Sequence, residues 1–189
     1  MGGIVTDPAL PEVTVAIRAL VALIFLAAAL GKMRHWTVFP GVLANYGLLP
    51  DTLVAPVADL LPPVEALVGL LLLPGLAAPW PEIGAAVLLL IFAAAMAINL
   101  MRGRRDIDCG CFQSALKQHL TWTLVIRNVV LVSLLGIASL FPGSAGLSST
   151  IEGLLVGGVL FIILQSLTIL WGIVPAWRKA PERGTEVGS

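Results

Sequence analysis

Charged side chains are scarce in this chain. Asp, Glu, Lys and Arg make up 12% of its 189 residues, against roughly 25% in an ordinary soluble domain. A water-facing surface needs those charges, so a soluble globular fold is excluded. The charge is also balanced: 11 basic residues face 11 acidic ones, for a formal net charge of zero. That leaves no electrostatic footprint for nucleic acid and no long-range steering. Cysteine is confined to Cys109 and Cys111, too few and too close for the disulfide framework of a small secreted domain. No phosphate-binding loop, dinucleotide fingerprint or hydrolase nucleophile motif occurs. Met1 to Glu12 holds no Lys or Arg, so the positive start of a signal peptide is missing. The first apolar run is therefore expected to stay in the mature protein.

What the chain has instead is apolar length. Residues of the apolar class make up 58% of it, and its mean hydropathy is +0.99. A spanning helix needs about 20 mostly apolar residues. Five stretches qualify: Val13 to Gly31, Thr52 to Leu73, Ile83 to Leu100, Leu120 to Leu140, and Ile151 to Val174. The alternation of a membrane β-strand is absent. Only helices satisfy every backbone group within such runs, so the fold class is all-α, a polytopic membrane bundle of five helices. Residues 1–12 read as an extracytoplasmic segment, 13–174 as one transmembrane domain, and 175–189 as a cytoplasmic tail expected to be disordered.

The connections sort by charge. Lys32, Arg34 and His35 follow the first span, Arg102, Arg104, Arg105 and Lys117 the third, and Arg178, Lys179 and Arg183 the fifth. The intervening connections, Pro74 to Glu82 and Pro142 to Glu152, hold no Lys or Arg. The positive-inside rule then puts the N-terminus outside, and the C-terminus and the cysteine connection in the cytoplasm. Trp36 and Trp122 fit the inner interfacial belt and Trp80 the outer one. The second span is the least regular, because Pro56, Pro62 and Pro63 remove backbone donors. It reads as a short segment, Asp51 to Leu61, followed by a helix beginning at Pro63.

Chemistry is concentrated in two places. The first is Asp108-Cys109-Gly110-Cys111-Phe112. Thiolates attack disulfides, and neighbouring cations lower thiol pKa values; Arg104 and Arg105 favour that, while Asp106 and Asp108 oppose it. Gly110 lets the chain bend between the sulfurs. A disulfide across one intervening residue closes a strained and therefore reducible ring. Three readings stand: a redox pair, a metal site completed by His119, and two inert small residues.

The second is a set of ionisable residues inside the spans: Arg18, Asp59, Glu65 and Arg127. Charges at such depth normally face the protein interior and pair. By depth at 1.5 Å per residue, Arg18 is expected to meet Glu65 in the outer half, and Asp59 to meet Arg127 in the inner half, beneath the cysteines. Such pairs serve either as ties between helices or as proton and charge partners of a site. Asn99, Asn128 and Gln165 read as polar glue between helices, and Gly69, Gly136, Gly157 and Gly158 as points of close helix approach.

These residues resemble the methylamine utilisation protein MauE family, within a wider DoxX-like group of redox-associated membrane proteins. The likeness runs through Gly31-Lys32, through Phe39 and Leu43-Ala44-Asn45-Tyr46-Gly47-Leu48-Leu49-Pro50, and through Pro62-Pro63-Val64-Glu65 with Gly69-Leu70. It continues in Asp108-Cys109-Gly110-Cys111-Phe112 and in Trp122 with Arg127-Asn128, covering most of Val13 to Leu140. Gln113 stands where the family usually has glycine. The resemblance implies a DoxX-like four-helix core plus one helix. It also implies a role in methylamine metabolism, in maturation of the methylamine dehydrogenase β subunit beside a thioredoxin-like partner. That maturation takes place outside the cytoplasm, whereas the charge pattern puts the cysteines inside. The two agree only if electrons cross the membrane or the topology is inverted.

The leading expectation is a membrane thiol–disulfide oxidoreductase cycling Cys109 and Cys111 with a thioredoxin-like protein. No cofactor motif is present; by analogy with other membrane thiol enzymes, the other electron donor or acceptor could be a quinone held among the inner-half helices. Asp59, Glu65, Arg18, Arg127 and Asn128 are the expected supporting residues. Two rivals make different use of the chain: a non-enzymatic scaffold for a redox partner, and a small transporter or metal-handling protein built on the intramembrane charges.

Overall fold

In a computed structural model of the protein, the residues described are 9–75, 78–104, 120–140 and 147–178, with side chains omitted at 9–11, 147–149 and 168–178. Cys109, Cys111, His119 and the tail beyond Arg178 lie outside them. All regular structure among the described residues is helical: α1 (Ala9–Arg34), α2 (Phe39–Asn45), α3 (Asp51–Leu72), α4 (Trp80–Met101), α5 (Trp122–Ser139) and α6 (Leu147–Arg178). Five of these, all but α2, are long and apolar enough to cross a membrane, as the apolar runs require. The short α2 lies in the connection between the first two spans.

Helix α1 is the hub. It packs against α3, α5 and α6, while α4 packs on α5 and α3. Its inward residues Leu20, Val21, Ala22, Ile24 and Phe25 meet Leu72, Ala85, Leu89, Leu131 and Leu135 in the main core. Between helices in lipid there is little hydrophobic drive, so close packing decides which faces meet. Two glycines show how. A Cβ on Gly69 would lie 2.9 Å from Leu26 Cγ and 3.1 Å from the Ala22 carbonyl oxygen, so α3 approaches α1 nearly backbone to side-chain stem. A Cβ on Gly157 would lie 2.6 Å from Ala19 Cβ and 2.7 Å from the Ala16 carbonyl oxygen. Gly153, one turn earlier, is equally tight against Val15. Gly136 and Gly158 do not serve this way, since each has open space beside it. Their faces of α5 and α6 point away from α1. Large apolar side chains such as Leu70, Ile91, Ile137 and Ile163 are exposed, as contact with lipid requires.

The second span departs from its expected break. Helix α3 runs unbroken from Asp51 to Leu72 with Pro56, Pro62 and Pro63 inside it. Each proline removes one i→i−4 bond, but neighbouring helices let a membrane helix tolerate that loss. Pro62 is buried at one such contact.

A second cluster fixes one end of the bundle. Val42 of α2 and Tyr46, which caps it, pack with Met96 and Leu100 of α4 and with Leu120 and Leu124 at the start of α5. Lys32, Arg34, His35, Arg102 and Arg104 therefore share this end. Trp36 and Trp122 are exposed here and Trp80 at the opposite end, as belt residues should be.

Candidate functional site

The intramembrane charges pair, but not in the expected combinations. At the basic end, Lys32 Nζ lies 2.8 Å from Oε1 and 2.8 Å from Oε2 of Glu65. The ammonium is 4% exposed and the carboxylate 0%. The rings of Phe39 and Phe92 each stand 5.6 Å from Nζ, close enough for cation–π attraction. At the opposite end, Arg18 Nη2 lies 2.9 Å from Oε1 of Glu82. This is an ion pair without aligned hydrogen bonds: Arg18 Nε and both Glu82 oxygens are buried and lack hydrogen-bond partners among the described residues.

The expected Arg18–Glu65 and Asp59–Arg127 pairs are thus not made. Depth along a span constrains height in the membrane but not direction around the helix. Asp59 is exposed on α3 and forms no ion pair among the described residues. The partners missed from sequence were Lys32 and Glu82, both counted as connection residues at the ends of spans. A signal was present: Arg18 and Lys32 are about four turns, or ~21 Å, apart on α1, hence on nearly the same face. On α1, Arg18 lies toward one end of the bundle and Lys32 toward the other, and each takes an acid from another helix.

Around the Lys32–Glu65 pair the helices leave a cleft. Its wall is made by Phe25, Lys32, Glu65, Phe92, Arg127 and Asn128, with aliphatic residues of α1 and α4. Arg127 and Asn128 enter it from the second turn of α5. Arg127 Nε and Nη1 are sealed from solvent and have no hydrogen-bond partner among the described residues. Asn128 is 2% exposed. The cleft has room for roughly one water molecule. Elsewhere Asn99 donates to the Ala95 carbonyl at 3.1 Å, a bond within α4, so it is not glue between helices through that group. Of the expected site residues, then, the structure brings Glu65, Arg127 and Asn128 together, adds Lys32, and leaves Arg18 and Asp59 apart. Cys109 and Cys111 fall in the sequence between α4 and α5, outside the described residues.

Comparison with known proteins follows the same boundaries. Residues 10–141 match the family model described as methylamine utilisation protein MauE. The chain is 48% identical over 171 residues to the methylamine utilization protein MauE of Paracoccus denitrificans, covering 88% of this chain and 91% of that one. It is 41% identical to the protein of the same name from Paracoccus versutus, over 86% of this chain and 89% of that one. Against the one from Methylorubrum extorquens it is 37% identical, over 90% and 93% of the two chains. No solved structure matches at a significant level.

Proposed function

From the premise that this chain belongs to the methylamine utilisation protein MauE family, we propose that it serves methylamine utilisation as a membrane thiol–disulfide exchange protein. Cys109 and Cys111 are the reacting pair and a soluble thioredoxin-like protein is the partner. What supports this reading is chain order: the Cys-Gly-Cys residues fall in the sequence between α4 and α5, whose facing ends lie where the bundle gathers Arg102, Arg104 and the buried Lys32. Neighbouring cations favour thiolate.

The exchange balances within the two proteins. One thiolate attacks a sulfur of the partner's disulfide, and the partner's other sulfur leaves as thiolate and takes a proton. The second cysteine then attacks the mixed disulfide. Cys109 and Cys111 end oxidised, and the partner ends as a dithiol with the two electrons. The reverse sequence of steps passes electrons the other way. A quinone was the expected partner on the membrane side. Arg127 and Asn128 carry donors suited to a carbonyl oxygen, but the cleft between them has room for roughly one water molecule and does not take a quinone ring. No step is routed through one.

The test is thiol labelling with membrane-permeant and impermeant reagents on intact cells and inverted vesicles, before and after reductant. Labelling of Cys109 and Cys111 that rises on reduction supports the redox pair. Its sidedness tells whether the pair acts directly on exported proteins. Full labelling that neither reductant nor oxidant changes favours the scaffold instead. Retained exchange in Cys109→Ser would rule out the mechanism.

A further inference from the structure

We infer that the cleft between α1, α3, α4 and α5 binds a small monovalent anion on Arg127 and Asn128. This does not depend on the cysteine chemistry.

The charge count inside the cleft comes first. Lys32 and Glu65 neutralise each other at 2.8 Å, which leaves the Arg127 guanidinium as a surplus cation among the described residues of the wall. An unbalanced charge held within a membrane-spanning helix costs several kcal/mol, so it calls for a counter-charge or an escape to water. Arg127 does not take the escape fully. A snorkelling arginine keeps its head in water, but here two of the three guanidinium nitrogens, Nε and Nη1, are sealed and unpartnered among the described residues. They lie on different edges of the guanidinium group, so one rotation does not bring both to solvent.

Asn128 is the independent second observation. The residue is 98% buried, since 2% is exposed, and it lines the same cleft. A buried amide normally has partners, because leaving one unmade is costly. Its NH2 group donates, as do both free arginine nitrogens. The unmet groups on this wall are thus predominantly donors beside a positive charge, and what satisfies them is an acceptor carrying negative charge. The room for roughly one water molecule limits that acceptor to an ion such as chloride. The Phe25 and Phe92 rings and the aliphatic wall keep the ion's other side dry, which strengthens its attraction to Arg127.

The experiment uses the full chain in lipid nanodiscs, with melting followed in sodium chloride and in sodium gluconate at equal ionic strength. Chloride is expected to raise the midpoint saturably, and gluconate, too large for the cleft, is not. Arg127→Gln is expected to abolish the chloride response and Asn128→Leu to weaken it at least several-fold. Because Arg127→Gln alters a buried charge and can cost folding, Asn128→Asp provides the second readout. Its carboxylate supplies an anion beside Arg127 from within, so this variant is expected to melt at or above the wild type in gluconate and to ignore chloride. Equal melting of the wild type in both salts overturns the inference. So does a chloride response that persists unchanged in Asn128→Asp.

Discussion

Lys32 and Glu65 are held 2.8 Å apart at both carboxylate oxygens, inside the bundle, with almost no access to water. A pair so placed is a poor source of net stability but a severe liability when broken, because the remaining partner keeps the desolvation cost without the attraction. Replacing Glu65 with Ala is therefore expected to cost about 3–5 kcal/mol. Replacing both residues, as Lys32→Met with Glu65→Leu, is expected to return most of that loss. A double-mutant cycle on unfolding in lipid or detergent checks this. Additive losses in the double variant would mean that the two residues do not act as a pair.

The pair at the other end is looser. Arg18 and Glu82 meet at 2.9 Å without aligned hydrogen bonds, and Arg18 remains 14% exposed. Arg18→Ala leaves a buried carboxylate unpaired near the membrane surface, where water reaches more easily. The expected loss is about 1–3 kcal/mol, smaller than for Glu65. Measured in the same assay, a loss equal to that of Glu65→Ala would contradict the ranking of the two sites.

These two pairs show what was legible in the sequence. The five spans were, because apolar length is a one-dimensional property. So was the gathering of basic residues at one end, since alternation across the spans survives any rotation of the helices. The ionisable residues inside the spans were visible one by one, but their pairing was not. Arg18 and Lys32 lie on nearly the same face of α1 but ~21 Å apart, so height decides between them, and counting from the assumed span ends put Glu65 beside the wrong one. Asp59 fails for a different reason: its position on α3 turns it outward. The three prolines of α3 misled in another way. Their local penalty is real, but packing against neighbouring helices overrides it. Gly69 and Gly157 were recognised as contact points, while Gly136 and Gly158 carry the same residue on faces that meet nothing.

That contrast between glycines makes a direct test of how α6 is held. Gly157 touches the α1 backbone and Ala19, whereas Gly158, its neighbour, has open space. Gly157→Ala forces α6 away from α1 and is expected to cost about 1–3 kcal/mol, as overpacking does. Gly158→Ala adds a methyl group with nothing to displace and is expected to be neutral or slightly stabilising, through helix propensity. Thermal midpoints of the two variants in the same lipid check this. Equal effects would mean that α6 is not seated on α1 through Gly157.

Orientation follows from the charges at the two ends. His35 and Arg102 sit at the basic end and Trp80 at the other. The positive-inside rule, which weighs Lys and Arg close to the span ends, predicts that the basic end faces the cytoplasm. In a Cys109→Ser, Cys111→Ser background, single cysteines at His35, Arg102 and Trp80 separate two questions. If the bundle is as described, the first two positions label from one side and the third from the other. If the charge rule holds, an impermeant reagent on intact cells reaches only Trp80→Cys. Labelling of His35→Cys and Arg102→Cys from outside, with Trp80→Cys protected, keeps the bundle but inverts it. The Cys-Gly-Cys segment would then face the compartment of exported proteins, and exchange with an exported partner would need no passage of electrons across the membrane.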